Sequence, residues 1–310
     1  MTTATKPDLS VTLAGLELKN PLLSASGTFG HGLEMGGFVE PSCLGAWVSK
    51  TVTLLPRHGN PAPRICETEA GFLNSIGLEN RGVEDYEAKV LPTFNQPGVT
   101  IITNIGGATP EEFVEMAARL DSYDEIAAFE VNLSCPNVQG GKLPFATDPA
   151  TAERTMRAVR EVTKKPLFAK LSPNVAGIGE IAKAVEAGGA DGITAVNTLL
   201  GMSVDWRSRK PGLALVMGGY SGVGIKPIAL RCAWNCATAV KIPIIGCGGI
   251  STAADVLEFL VAGCTAVQVG TASFSNPSLL AELPGQLEEL LASAGVASVR
   301  DLIGTMNTGH

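Results

Sequence analysis

The sequence predicts a (β/α)8 TIM barrel from three observations. Eight short apolar runs recur along 310 residues, amphipathic stretches separate them, and the last residues of most runs are polar or glycine. The runs are residues 21–26, 46–50, 100–105, 129–134, 166–172, 192–197, 243–248 and 266–270. Several are continuous β-branched runs, as expected of parallel strands covered on both faces. A doubly wound open sheet is the competing arrangement.

The helices are predicted between the strands. Residues 109–120 carry Thr109 as N-cap, Pro110 in the first position and Glu112 three residues after the cap. Residues 148–163, 177–189, 226–240 and 251–263 follow, most ending in glycine or in a basic residue before proline. The opening segment, 11–21, reads as a small hairpin turning at Ala14 and Gly15. Residues 1–310 are expected to form one domain. Two connections are long, 51–80 and 198–225. Both follow strand ends on the face where barrel sites form, and long loops in compact domains tend to be functional.

Composition excludes some function classes. The net charge is −7 and no Lys/Arg-rich run appears, which argues against a nucleic-acid partner. No apolar run approaches the ~18–20 residues of a membrane span. The first residues lack the apolar core of a signal peptide and the arginines of an import sequence, so a soluble, cytoplasmic protein is expected, with no membrane partner. Seven cysteines without a C-x-x-C spacing argue against a disulfide framework and against an internal zinc or iron–sulfur site. Cys232 and Cys236 share one helix face and read as packing residues. With only His31, His58 and His310, a histidine-based site is poorly supplied, and no metal site is expected.

The strand ends are the informative positions. They carry Ser24 and Ser26, Lys50 and Thr51, Asn104, Asn132, Lys170, Asn197 and Thr198, Gly248 and Gly249, and Gly270 and Thr271. A strand end that only packs would be apolar. Gly248 and Gly249 follow strand seven and Gly270 and Thr271 follow strand eight, the pair of loops that commonly holds phosphate through backbone N–H groups and a helix N-terminus. Gly222 can add a further backbone contact. Lys50 and Lys170 stand in apolar surroundings; each suits a Schiff base or a fixed cation beside a flavin. Asn74, Asn104, Asn132, Asn137 and Asn197 offer donors and acceptors together, which suits a pyrimidine dione or a flavin ring. In "EVNLSCPNVQGG", Cys135 by itself reads as a buried thiol as readily as a reagent.

"VNLSCPN", "NSIGLEN", "AKLSPN", "AVNT", "CGGI" and "VGTA", in this order and spacing, resemble class 1 dihydroorotate dehydrogenase from about residue 10 to the C-terminus. The resemblance implies a TIM barrel that holds FMN and oxidises dihydroorotate to orotate in pyrimidine (UMP) synthesis. It implies Cys135 as the general base. Lys50, Asn74, Ser75, Ile76, Gly77, Leu78, Asn132, Asn197 and Thr198 would contact substrate. Ser26, Lys50, Thr51, Asn104, Asn132, Lys170 and Val196 would contact the flavin, with Gly222, Gly248, Gly249, Gly270 and Thr271 at its phosphate end.

Ile76, where the fumarate-reducing class 1A usually has Met, points to the NAD-linked class 1B. That class implies a homodimer core and a partner subunit carrying FAD and an iron–sulfur cluster, two of each in a heterotetramer. Two places depart from the family pattern: the Gly140–Gly141 pair comes one position early with no basic residue after Val138, and Tyr220 stands where Leu is common. The competing readings are a class 1A homodimer, a flavin enzyme resembling dihydropyrimidine dehydrogenase, a Lys170-dependent aldolase or lyase, and a non-catalytic ligand-binding barrel.

Overall fold

The computed structural model describes residues 6–94, 98–134 and 147–309; Cys135 and Asn137 lie outside the described residues. The chain opens with the expected hairpin, β1 (Val11–Leu13) and β2 (Leu16–Leu18). Ala14 and Gly15 turn it at φ 50° and 83°, and Leu13 and Leu18 enter the main core.

All eight predicted barrel strands form. They are β3 (Leu22–Ser24), β4 (Trp47–Val48), β7 (Ile101–Ile105), β8 (Ala128–Asn132), β9 (Leu167–Lys170), β10 (Gly192–Ala195), β15 (Ile244–Cys247) and β16 (Ala266–Val269). Their order is β3-β16-β15-β10-β9-β8-β7-β4, with every neighbouring pair parallel. The two ends meet. Leu23 bridges Ala46 in parallel, and the Ser24 hydroxyl accepts the Val48 N–H at 2.9 Å. The sheet therefore closes, which removes the open doubly wound alternative.

Several strands stop earlier than the apolar runs predict. The run 192–197 pairs only through Ala195, and 46–50 only through Val48. Asn197 and Thr198 thus lie just past the β10 ladder, while Lys50 and Thr51 sit between β4 and the isolated parallel bridge of Val52 to Ile105; all four turn into the rim.

The remaining strands come from the two long connections. β5 (Ile65–Thr68) and β6 (Gly71–Asn74) pair with β14 (Met217–Ser221) and β11 (Leu199–Met202) in a four-stranded sheet of order β11-β14-β6-β5. All of its neighbours are antiparallel, with Asn74 opposite Gly219. A two-residue pair, β12 (Val204–Asp205) and β13 (Lys210–Pro211), extends from it.

Eight strand–helix units were expected, and the first departs. Among the described residues only two single 3-10 turns, Leu33–Met35 and Pro41–Cys43, lie between β3 and β4. Gly27, Gly30, Gly32 and Gly37 all take positive φ there, which a helix cannot accommodate. The helices are α1 (Gly82–Asp85), α2 (Pro110–Leu120), α3 (Pro149–Arg160), α4 (Ile178–Ala187), α5 (Lys226–Ala239), α6 (Ala253–Val261), α7 (Ala272–Ser275) and α8 (Leu279–Ser293). Thr109 caps α2 by accepting the Glu112 N–H. Asp148 does the same for α3 through Thr151. Cys232 and Cys236 of α5 are buried in the core, as packing residues should be.

Candidate active site

A cavity of about 960 Å³ lies between the barrel rim and the four-stranded sheet. The roof is held by its own contacts. Asn74 Nδ2 donates to the Gly219 carbonyl at 3.2 Å, Asn60 Nδ2 donates to the Ser75 carbonyl at 3.0 Å, and Arg64 pairs with Glu79 at 2.6 Å. Asn80 anchors the end of the first connection, binding the Thr53 hydroxyl and the Gly82 N–H.

The predicted residues converge on this space. Ser26, Lys50, Thr51, Asn74 to Leu78, Asn132, Lys170, Val196, Asn197, Thr198, Gly222, Gly248, Gly249, Gly270 and Thr271 all line it. Asn104 does not. It is fully buried in β7, with its Nδ2 donating to Glu130 at 2.6 Å, so it stands behind the lining.

One side of the cavity is a continuous polar chain. Ser26 and Thr51 hydroxyls face each other at 3.4 Å, and Asn132 Nδ2 donates to Thr51 Oγ1 at 3.3 Å. Asn132 Oδ1 accepts from Ser134 at 2.8 Å, and Ser134 accepts from Asn197 Nδ2 at 2.6 Å. Asn197 Oδ1 then accepts the Thr198 N–H at 2.8 Å. Ser134, overlooked in the sequence, joins the two predicted asparagines. Its signal was its place two residues after Asn132, the strand spacing that returns a side chain to the same face. Asn174 is a second omission; it holds the start of β11 by donating to the Thr198 carbonyl and accepting the Leu200 N–H.

Beneath the rim, inside the barrel, lies a fully buried polar cluster. Glu130 of β8 accepts four donors. Asn104 Nδ2 (2.6 Å) and Lys170 Nζ (3.5 Å) reach Oε1, while Thr194 Oγ1 (2.6 Å) and Gln268 Nε2 (2.5 Å) reach Oε2. Lys170 Nζ also donates to Gln268 Oε1 at 2.9 Å. Burial disfavours the ammonium, but the charge and hydrogen bond of the Glu130 carboxylate oppose it, and the Lys170 pKa is held above the ordinary lysine value. Burial in turn pushes the Cys247 thiol up. Glu130 was the main omission from the sequence reading, although a carboxylate inside an apolar strand run, two residues before Asn132, was a visible anomaly.

Lys50 is a different lysine. Burial pushes its pKa down, partly offset by Glu79 and Glu34, and among the described residues it forms no salt bridge. Ser75 Oγ, also lining the cavity, is buried without a hydrogen-bond partner among the described residues, as is Asn104 Oδ1.

The glycines gather at the far end. Thr271 Oγ1 donates to Ser221 Oγ at 2.8 Å, tying the eighth loop to β14 beside Gly222. Gly249 has φ 80°, and a Cβ there would lie 2.6 Å from the Lys226 backbone N; only glycine allows that approach. A capping box closes the entry to α6. Asp255 accepts from Ser251 and Thr252, and Thr252 accepts the Asp255 N–H.

Comparison with known proteins agrees with this geometry. The family model described as dihydroorotate dehydrogenase matches residues 8–291. A Pelobacter propionicus protein named "Dihydroorotate dehydrogenase B (NAD(+)), catalytic subunit" is 50% identical over 301 residues, covering 97% of this chain and 99% of that protein. A Geobacter sulfurreducens protein of the same name is 49% identical with the same coverage. Among solved structures, Eimeria tenella DHODH in complex with ferulenol superposes with a TM-score of 0.81 at 22% identity, covering 98% of this chain and 90% of that one, which supports the barrel fold. On the match to most of its length and to these relatives, the chain belongs to the dihydroorotate dehydrogenase family.

Proposed function

We propose that this chain is the catalytic subunit of an NAD-linked dihydroorotate dehydrogenase, a single FMN-binding barrel domain over residues 1–310 that oxidises dihydroorotate to orotate in cytoplasmic pyrimidine synthesis. The observation that carries the reading is the cavity wall itself. Lys50, Asn74, Asn132, Asn197 and Thr198 meet on one pocket, and the chain of hydrogen bonds from Ser26 to Thr198 passes through Ser134, the residue next to Cys135.

The residues fit a flavin. Among the described residues, Ser75 Oγ is a buried group without a partner in the lining, and Asn104 Oδ1 is another just behind the lining. Both suit a ligand rich in N–H and C=O groups. Bound FMN would take the hydride from the substrate ring carbon next to the one that loses its proton. Lys170 would supply a fixed cation for the ring system, and the loops at Gly222, Gly248, Gly249, Gly270 and Thr271 would receive the phosphate. Asn74 and the Ser75–Leu78 backbone, with Asn132, Asn197 and Thr198, would orient dihydroorotate, and Lys50 would meet its carboxylate. Cys135, as thiolate, would remove the proton α to the ring carbonyl.

Among the described residues no helix is long and apolar enough to cross a membrane. The relatives' printed name, a catalytic subunit, supports a separate partner; the proposed partner carries FAD and an iron–sulfur cluster, on a homodimer core in a two-plus-two heterotetramer.

The test is purification of the native complex followed by assay with dihydroorotate and NAD, fumarate or a quinone. A yellow protein with a copurifying iron–sulfur flavoprotein and NAD-dependent turnover is the expected result. Fumarate-only turnover by a homodimer would overturn the NAD assignment. Turnover of dihydrouracil in place of dihydroorotate would overturn the substrate.

A further inference from the structure

We propose that Glu130 is a positioning residue for the cofactor: its buried carboxylate keeps the Lys170 ammonium charged and aimed at the cavity, so that the cofactor is reduced against a cation already in place. This rests on the FMN reading above.

The geometry is specific. Glu130 has no exposed surface, and Lys170 is 4% exposed, yet Lys170 still lines the cavity. The two come from adjacent strands β8 and β9, and Nζ reaches Oε1 at 3.5 Å. The other three groups on Glu130, from Asn104, Thr194 and Gln268, are all neutral donors. A carboxylate surrounded only by donors is an acceptor-only group, and Lys170 is the one cation touching it among the described residues. Gln268 completes the fixation, giving one amide N–H to Glu130 and taking the lysine N–H on its oxygen. Five strands thus converge on the carboxylate that, with Gln268, holds the ammonium. Plain packing would have filled this layer with apolar side chains, because a buried ion pair is seldom the more stable choice.

The consequence for reduction follows from proton linkage. With Lys170 already protonated, two electrons entering the flavin bring about one proton, which goes to the ring. If Glu130 loses its charge, Lys170 is a buried amine without a counter-ion, and its proton is lost near neutral pH. Reduction then places negative charge beside Lys170 and draws a second proton, onto Nζ.

The deciding experiment uses the flavin-loaded protein. The midpoint potential is measured by spectroelectrochemistry across pH for wild type, Glu130→Gln and Glu130→Asp. The expected result is uptake of about one proton per two electrons in wild type, up to twice that in Glu130→Gln, and return to the wild-type value in Glu130→Asp, which restores the charge. A Glu130→Gln slope equal to wild type overturns the proposal, because a merely structural role would leave proton uptake unchanged.

A second measurement needs no cofactor. Cofactor-free protein is treated near neutral pH with a small amine-acylating reagent, and modification of Lys170 is located by mass spectrometry, with unfolded protein as the reference for full reactivity. Lys170 should be protected in wild type and modified in Glu130→Gln; equal modification in both overturns the proposal. Should Glu130→Gln fail to fold, Glu130→Leu takes its place; modification of Lys170 there supports the proposal, and protection equal to wild type overturns it. A protein that binds no flavin would refute the FMN reading while the acylation result still reports on Glu130.

Discussion

Lys170 and Lys50 both close predicted strands and both line the cavity, yet the fold treats them in opposite ways. Lys170 ends β9 inside the barrel, where Glu130 and Gln268 fix it and its pKa is held high. Lys50 lies just beyond β4, half-buried, with no salt bridge among the described residues and with its pKa pushed down by burial. One charge is locked by the protein before any ligand arrives. The other is left for a ligand to satisfy. On the proposed function, this division would set a fixed cation for the cofactor apart from a cation open to the substrate, with the same residue type.

The strongest challenge to this picture is that a lysine, rather than the thiol, is the reagent. Replacing Cys135 would then leave turnover intact. We expect Cys135→Ala to keep its flavin absorbance and to lose about 10²–10⁴-fold in kcat, the usual worth of a positioned base, read by steady-state assay alongside a visible spectrum. Turnover should also fall as pH drops through the thiol's titration.

The lysines themselves should differ next. Lys170→Met strands the Glu130 carboxylate, which should cost about 3–5 kcal/mol in urea unfolding. Lys50→Met removes no side-chain partner among the described residues and should stay within about 0.5 kcal/mol, while raising KM for dihydroorotate. Equal losses of stability would erase the distinction. At the glycine end, Gly249→Ala forces a side chain into positive φ and should cost about 1–2 kcal/mol, with weaker flavin retention by ultrafiltration.

The smallest effect is also the sharpest in sign. The folded-state pKa of Lys170 is raised, so its stabilisation is full below the unfolded value of about 10.4 and is lost as pH rises through the folded value. That of Lys50 is lowered, so its contribution improves as pH climbs through the folded value toward the same point. Unfolding free energies of wild type against each Lys→Met variant, followed into the alkaline range, should therefore move in opposite directions. Parallel movement would contradict one of the two assignments.

Much of the barrel was legible because its signals are local. An apolar run of four to six residues, a capping threonine such as Thr109 and a terminal glycine each act within a few residues. The polar strand ends were legible for the same reason, and of the described positions named from them only Ser24 and Asn104 fall behind the cavity lining. Helix α8 was legible but passed over. Leu279, Leu283, Leu287 and Leu291 recur every four residues and are all buried, though Pro284 interrupts the pattern. The four-stranded roof was not legible. Asn74 and Gly219, which face each other across it, are 145 residues apart, and their flanking runs show little alternation.

By itself the sequence determined the eight barrel strands, five of the helices between them, the polar character of the rim and the resemblance carried by its motifs. Only the tertiary structure decided that Ser24 closes the barrel, that the two long connections pair into a roof, and that Glu130 rather than a ligand neutralises Lys170. The reason is physical. Strand and helix preferences are set by neighbours along the chain, whereas the charge state and partners of a buried side chain are set by whichever other strands surround it, and here four of them meet at one carboxylate.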